Sequence, residues 1–338
     1  MRLAILLAGM ALAAGLTSAT AQERTTHFAG PHGRRDLNAY QPRGRSGLER
    51  TEQFSNKYKL GSDGRFSLSN VDGNVVITGG AGDEATIEAV KRTRGDQREL
   101  DRVTVDVSAR NGRVDVRTIY PPYRNNQVSV DYTVMVPANA SVDIKSVSGN
   151  VSVRDVKGSV RAESVSGNVL ASGTPRLELA KSVSGDVDLS DAGMDADVAA
   201  SSISGNVRGK GIRGRSFEAD TISGDVTLTD AVCDRLGVRS ISGSVAYSGA
   251  LARTGRYDFN LHSGNVRLVL SDSTGFDLTA NTFSGSINSE LPLTIGGDRA
   301  RRGRQGIPNR RSVVATYGDG SAALTIKTFS GDIIIVRR

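Results

Sequence analysis

The sequence predicts an all-β chain, a single-chain parallel β-solenoid (β-helix) with rungs of about 18–21 residues. Three observations predict it. A short phrase, first written Ser146-Val147-Ser148-Gly149-Asn150-Val151, occurs nine times and returns around Gly167, Gly185, Gly205, Gly224, Gly243, Gly264, Gly285 and Gly331. Successive glycines lie 18 to 21 residues apart until the last interval, which is 46. A fixed period near 20 marks a stacked repeat, in which each copy buries its apolar face on its neighbours. The third observation is the alternation of apolar residues inside each copy.

Two residues before the glycine stand Val147, Val165, Val183, Ile203, Ile222, Ile241, His262, Phe283 and Phe329. Two residues after it every copy has Val or Ile, and four after it most copies are apolar again, as in Val153, Leu189, Leu228 and Ile335. Period-2 alternation of β-branched and aromatic residues reads as a strand with one buried face, here taken to include the position before the glycine. Upstream pairs such as Val142 and Ile144, Val160 and Ala162, or Phe217 and Ala219 read as a second strand. The phase slips by one residue between the two strands, which predicts a corner. Leu177 and Leu179, behind Pro175, fall one residue out of step. The glycine serves either as a turn pivot or as a gap where walls approach closely. Successive rungs pair in parallel, and the right-handed preference of parallel crossovers is the only guide to the hand.

In chain order, residues 1–21 read as a signal peptide: Arg2, an apolar run from Leu3 to Leu16, and Ala19-Thr20-Ala21 as a small-x-small cleavage site. No later stretch is apolar enough to predict a membrane span. Residues 22–50 are polar and rich in Gly and Arg, the composition of a disordered linker. Residues 51–139 predict an irregular β start to the solenoid, with a degenerate phrase at Asn70-Val71-Asp72-Gly73-Asn74-Val75. Strands are expected at 85–91, 103–108, 113–119 and 127–136, with a hairpin turn at Asn111-Gly112 and a loop or single helical turn in the charged stretch 91–102. Residues 140–338 are the regular solenoid, closed by the last copy at 322–336 and interrupted by a basic loop at 296–311.

That loop carries the candidate anion-binding residues Arg299, Arg301, Arg302, Arg304, Arg310 and Arg311 against a single Asp298. The whole chain has a formal net charge of +7. For an exported protein this points away from nucleic acid and toward an anionic envelope glycan, a lipid head group or an acidic protein. Cys233, the single cysteine, sits among apolar residues and reads as a buried small hydrophobe. His262, in the apolar column, reads as a core or corner side chain. The repeated serines have no base in any recognisable motif and read as outward-facing or turn residues. The Asp and Asn that follow the glycine are too sparse for a hard-cation site. No catalytic, metal or cofactor signature is found, and no cofactor is expected.

The order of features resembles a bacterial adhesin-like β-strand-repeat family of unknown function. The resemblance rests on the degenerate Asn-Val-Asp-Gly-Asn-Val, then Tyr132-Thr133-Val134-Met135-Val136-Pro137, then the repeated phrase ending in Thr328-Phe329-Ser330-Gly331-Asp332-Ile333. It covers roughly residues 67–336 and implies a parallel β-solenoid in an exported bacterial protein, without catalytic residues. The expected function is a non-enzymatic adhesin-like binding or scaffold protein of the cell envelope, periplasmic or at the cell surface. The alternatives are a self-assembling structural envelope protein and a polysaccharide-active β-helix enzyme.

Overall fold

The computed structural model describes residues 49–122, 127–194, 196–271, 274–296 and 312–338. The predicted signal peptide, nearly all of the predicted linker and the six arginines of the basic loop lie outside the described residues. Among the described residues the strands form two walls, one of 13 strands and one of 14. Each repeat gives a longer strand to the 14-stranded wall, turns at its glycine, and gives a shorter strand to the 13-stranded wall. Ser141–Ser148 and Val151–Arg154 are one such pair. Like residues stack: Val160 pairs with Val142, and Val169 with both Val151 and Val187. The inward side chains of the two walls meet in one continuous core. Each fully buried Val, Leu, Ile or Phe contributes about 1.5–3 kcal/mol, so the repeat stabilises itself rung by rung.

The glycine is above all a close approach. A Cβ on Gly167, Gly185, Gly205, Gly224 or Gly243 would collide with the glycine carbonyl of the preceding rung, although none of these has a left-handed φ. At Gly149, Gly264 and Gly331, φ values of 126°, 139° and 146° add a conformational requirement. The opposite corner is a left-handed residue six positions on: Asp155, Gly173, Asp191, Gly211 and Asp230, with φ between 49° and 64°. Asp tolerates that region better than other non-glycine residues, which explains its alternation with glycine there.

The residue two before the glycine does not share the buried phase its alternation predicts. On the 14-stranded wall the alternation continues past the apolar pair to a buried residue three before the glycine, a Ser or Thr in every copy except Leu261, so the next residue, two before the glycine, faces outward. That column belongs to the end of the long strand, on the opposite face from the core. The serines therefore divide into two sets. Those directly before the glycine are at the surface, whereas Ser182, Ser202 and Thr221 point inward and donate to the glycine carbonyls Gly167 O, Gly185 O and Gly205 O at 2.8, 2.9 and 3.1 Å. Ser240 occupies the same column, but its buried Oγ has no partner among the described residues. Ser182→Ala is therefore expected to cost about 1 kcal/mol and Ser240→Ala to be neutral or slightly stabilising. Urea midpoints of the two variants measure the difference, and equal midpoints would refute the assignment.

The out-of-step leucines are a β-bulge. Val160 pairs with Leu177 and Arg161 with Leu179. Glu178, the extra residue, accepts from Ser159 Oγ at 2.6 Å and from Arg161 Nε at 2.7 Å. These two hydrogen bonds hold its carboxyl below the usual carboxylate range.

The irregular N-terminal part is continuous with the array. Arg65–Asp72 and Val75–Gly80 form its first rung, and Arg113–Ile119 adds a further parallel strand to the 14-stranded wall. Gly112, with φ 71°, turns the expected hairpin, and a short helix spans Gln97–Arg102. Antiparallel strands finish this end: Arg50–Lys59 and Glu84–Thr93 on one wall, Thr104–Arg110 on the other.

At the C-terminal end the last copy does not close the array as expected. Ala322–Ser330 inserts between Arg256–Ser263 and Phe276–Ser284, and Ile333–Arg337 inserts between Val266–Leu270 and Ile287–Ser289. The chain runs one rung too far and then returns to fill the gap, pairing in parallel on both sides. The long 46-residue interval holds the detour, in which Ser312–Tyr317 lies antiparallel on Phe276–Ser284 and Thr294–Ile295 lies on it in turn. On this 14-stranded wall the capped edge offers little parallel ladder to another molecule, and the edge of the 13-stranded wall at this end is the three-residue strand Ile287–Ser289.

Candidate interaction surface

The reversed phase puts apolar side chains in water. In wall order the outward column is Val71, Val147, Val165, Val183, Ile203, Ile222, Ile241, His262, Phe329 and Phe283, with Ile119 beyond Val71 at the end of its own strand. Val147 is 49% exposed, Ile241 53% and Phe283 60%. Scattered exposed apolar residues are ordinary, but an unbroken line over the whole array is an interaction feature. At about 4.8 Å per rung it is about 48 Å long.

The aromatic end of the column is ordered by stacking. The His262 and Phe329 rings lie 5.2 Å apart at 8°, and the Phe283 and Phe329 rings 4.8 Å apart at 6°. Because the rings stack along the array, their edges and not their faces point outward. His262 is thus a corner residue and not part of the core.

Both flanks of the column are polar. On one side the residue after each glycine forms a ladder: Asn150 Oδ1 accepts from Asn168 N at 2.9 Å, Asn168 Oδ1 from Asp186 N at 2.9 Å, and Asp186 Oδ1 from Asn206 N at 2.8 Å. The Asp and Asn residues are therefore engaged in holding rungs together. On the other side, four residues before each glycine, stand Lys145, Glu163, Lys181, Asp220, Arg239 and Lys327, with Arg117 beyond Ser69. Lys145 and Glu163 are 4.0 Å apart, and Arg239 and Asp220 3.5 Å. Desolvation raises the Asp220 carboxyl, and Arg239 pulls it partly back. Between these charges and the valines at the N-terminal half runs a groove of about 540 Å³.

The six candidate arginines all lie outside the described residues. Their flanks are placed: Thr294–Ile295 and Ser312–Tyr317 both lie at the C-terminal end of the 14-stranded wall. Cys233 is buried, and its thiol is pushed up to about 12, first by burial and then by Asp234. The alternation in the sequence predicts a core position for the outward column, and the structure places it at the surface. The signal that finds it is the buried hydroxyl three before the glycine, which carries the inward phase through and leaves the next residue outside.

Solved structures that match the chain include a candidate adhesin from Bacteroides fragilis (12% identity, covering 84% of this chain and 97% of that one, TM-score 0.36). A candidate adhesin from Parabacteroides distasonis matches at 13% identity over 85% of this chain and 97% of that one, TM-score 0.30. A candidate lipid-binding protein from the same species matches at 10% identity over 85% and 96%, TM-score 0.34. A search of curated protein sequences finds no match. The family profile described as Toastrack DUF4097 matches residues 64–336, which takes in both walls from the first rung to the last, and the chain belongs to that family.

Proposed function

We propose that the chain is an exported, non-enzymatic binding solenoid of the bacterial cell envelope, adhesin-like in action. Its basic segment contacts anionic glycan, lipid head groups or an acidic protein. The observation that supports this reading is placement. The strands flanking residues 297–311 stand together at one end of a regular two-walled stack, so six arginines are attached to a single end of a stiff repeat. Stacked rungs resist bending because the strands of an inner rung pair on both sides, and a stiff carrier presents a charged segment at a fixed distance from its other contacts.

The test measures retention on anionic phospholipid vesicles and on an acidic polysaccharide, at low and high salt. The wild-type chain is compared with a variant whose 297–311 segment is replaced by a short Gly-Ser loop. Retention is expected to fall with salt and to be lost with the segment. Retention that is indifferent to both would sink the reading.

A further inference from the structure

We propose that the outward apolar column is the seam of an antiparallel homodimer, with a two-fold axis lying along the strand direction at the rung of Ile203. Three properties of the column select a second copy of this chain as its occupant.

The first is side-chain size. Along the array the column changes from Val71, Val147, Val165 and Val183, through Ile203, Ile222 and Ile241, to His262, Phe329 and Phe283. Reversing a second copy about Ile203 brings small against large at every step. Val183 faces Ile222, Val165 faces Ile241, Val147 faces His262, and Val71 faces Phe329, while Ile203 meets itself. Ile119 faces Phe283. A parallel pairing would instead set Val on Val and Phe on Phe, leaving a gap at one end and a clash at the other. Close-packed interfaces tolerate neither.

The second property is charge. A two-fold axis along the strands lays the column of residues four before the glycine against itself in reverse order. In that register Lys181 faces Asp220 and Glu163 faces Arg239, each twice by symmetry, and the remaining charges face neutral residues. Shifting the copy by one rung in one direction sets Lys145 against Arg239 and Glu163 against Asp220. The opposite shift sets Lys181 against Arg239 and Lys145 against Lys327. Within this column every register shifted by one to four rungs in either direction opposes like charges, whereas the register that overlaps all rungs opposes none, and like charges in opposition select against wrong registers.

The third property is area. With roughly half of each side chain exposed, the column offers on the order of 800 Å² per copy, the size of a standard stable interface. An isologous contact of this kind closes on itself and does not propagate into a filament.

Cysteine pairing tests the geometry in the full chain. Because Cys233 is buried, it does not compete. Under mild oxidation Ile203→Cys is expected to give a disulfide-linked dimer on its own. Val165→Cys alone is expected to give none, and the Val165→Cys/Ile241→Cys double variant is expected to cross-link. Sedimentation equilibrium supplies the second readout. Lys181→Asp or Asp220→Lys singly should weaken association about 10-fold, and the double swap should restore it. Efficient cross-linking of Val165→Cys alone would mean a parallel pairing and overturn the proposal. So would a chain that stays monomeric at every concentration. A monomer whose retention on anionic vesicles is lost in Ile203→Asp would assign the column to a lipid surface and overturn it as well. The cross-linking and sedimentation results leave the basic-segment reading untouched, since that segment is intact in every variant, whereas vesicle retention lost in Ile203→Asp would count against both readings.

Discussion

Gly224→Ala is expected to destabilise the chain by more than about 3 kcal/mol, an unusually large cost for a single methyl group. The added Cβ would collide with Gly205 O, lie 2.7 Å from Gly205 C and sit 3.1 Å from Thr221 Oγ1. Two of these three atoms are backbone of the neighbouring rung, which cannot move without breaking its own ladder. The cost is therefore steric overpacking with no flexible partner to yield. It is not conformational, because Gly224 has no left-handed φ. Gly237 supplies the control. It lies inside a strand of the same wall, yet a Cβ there meets only Glu218 Cγ, at 3.8 Å. Gly237→Ala should be neutral or stabilising by up to about 1 kcal/mol, through reduced freedom of the unfolded chain. Urea unfolding of both variants decides the matter, and equal midpoints would remove the close-approach explanation of the repeated glycine.

The repeat made the architecture legible because a solenoid is local. Each rung contacts the next copy of the same phrase, so period, strand type and parallel pairing follow from spacing alone. What failed was global or depended on a hydroxyl. The insertion of Ala322–Ser330 between two earlier rungs is a choice of partner, and its phrase is equally suited to the end of the stack. The outward column was hidden because Ser and Thr at an inward position look polar. The buried Ser182 hydroxyl donates a hydrogen bond to Gly167 O, and no hydrophobicity pattern records that bond. Valine and isoleucine next to it look like core for the same reason. Bulges behave similarly: the misplaced leucines announced an irregularity, but the role of Glu178 in holding Arg161 and Ser159 needs the fold.

That buried polar chemistry also sets the behaviour of the chain in alkali, where stability is expected to collapse between about pH 9 and 12. Burial raises the phenols of Tyr132 and Tyr257 to about 12, and Tyr120 and Tyr247 are displaced upward too, also chiefly by burial. Cys233 is raised to about 12 as well. The phenols are held by hydrogen bonds that need the proton. Tyr257 Oη donates to Cys233 O at 2.7 Å and Tyr247 Oη to Ala231 O at 2.8 Å, and Tyr132 Oη lies 2.7 Å from Thr118 Oγ1. In the unfolded chain these groups lose their protons near 8.5 for the thiol and near 10 for the phenols. Above those values the folded state binds more protons than the unfolded one, so stability falls as pH rises. It is constant below about pH 8.5 as far as these groups are concerned, and their contribution is gone once pH passes the folded values. Each group changes stability by up to about 1.4 kcal/mol per pH unit, less where solvent screens it. Tyr132→Phe should lower the slope between pH 10 and 12 by one such increment, whatever it costs at neutral pH. Unfolding free energies measured in urea across this range give the slope directly. A wild-type curve that stays flat to pH 12 would show that the folded chain holds these protons no more tightly than the unfolded one and would overturn the prediction.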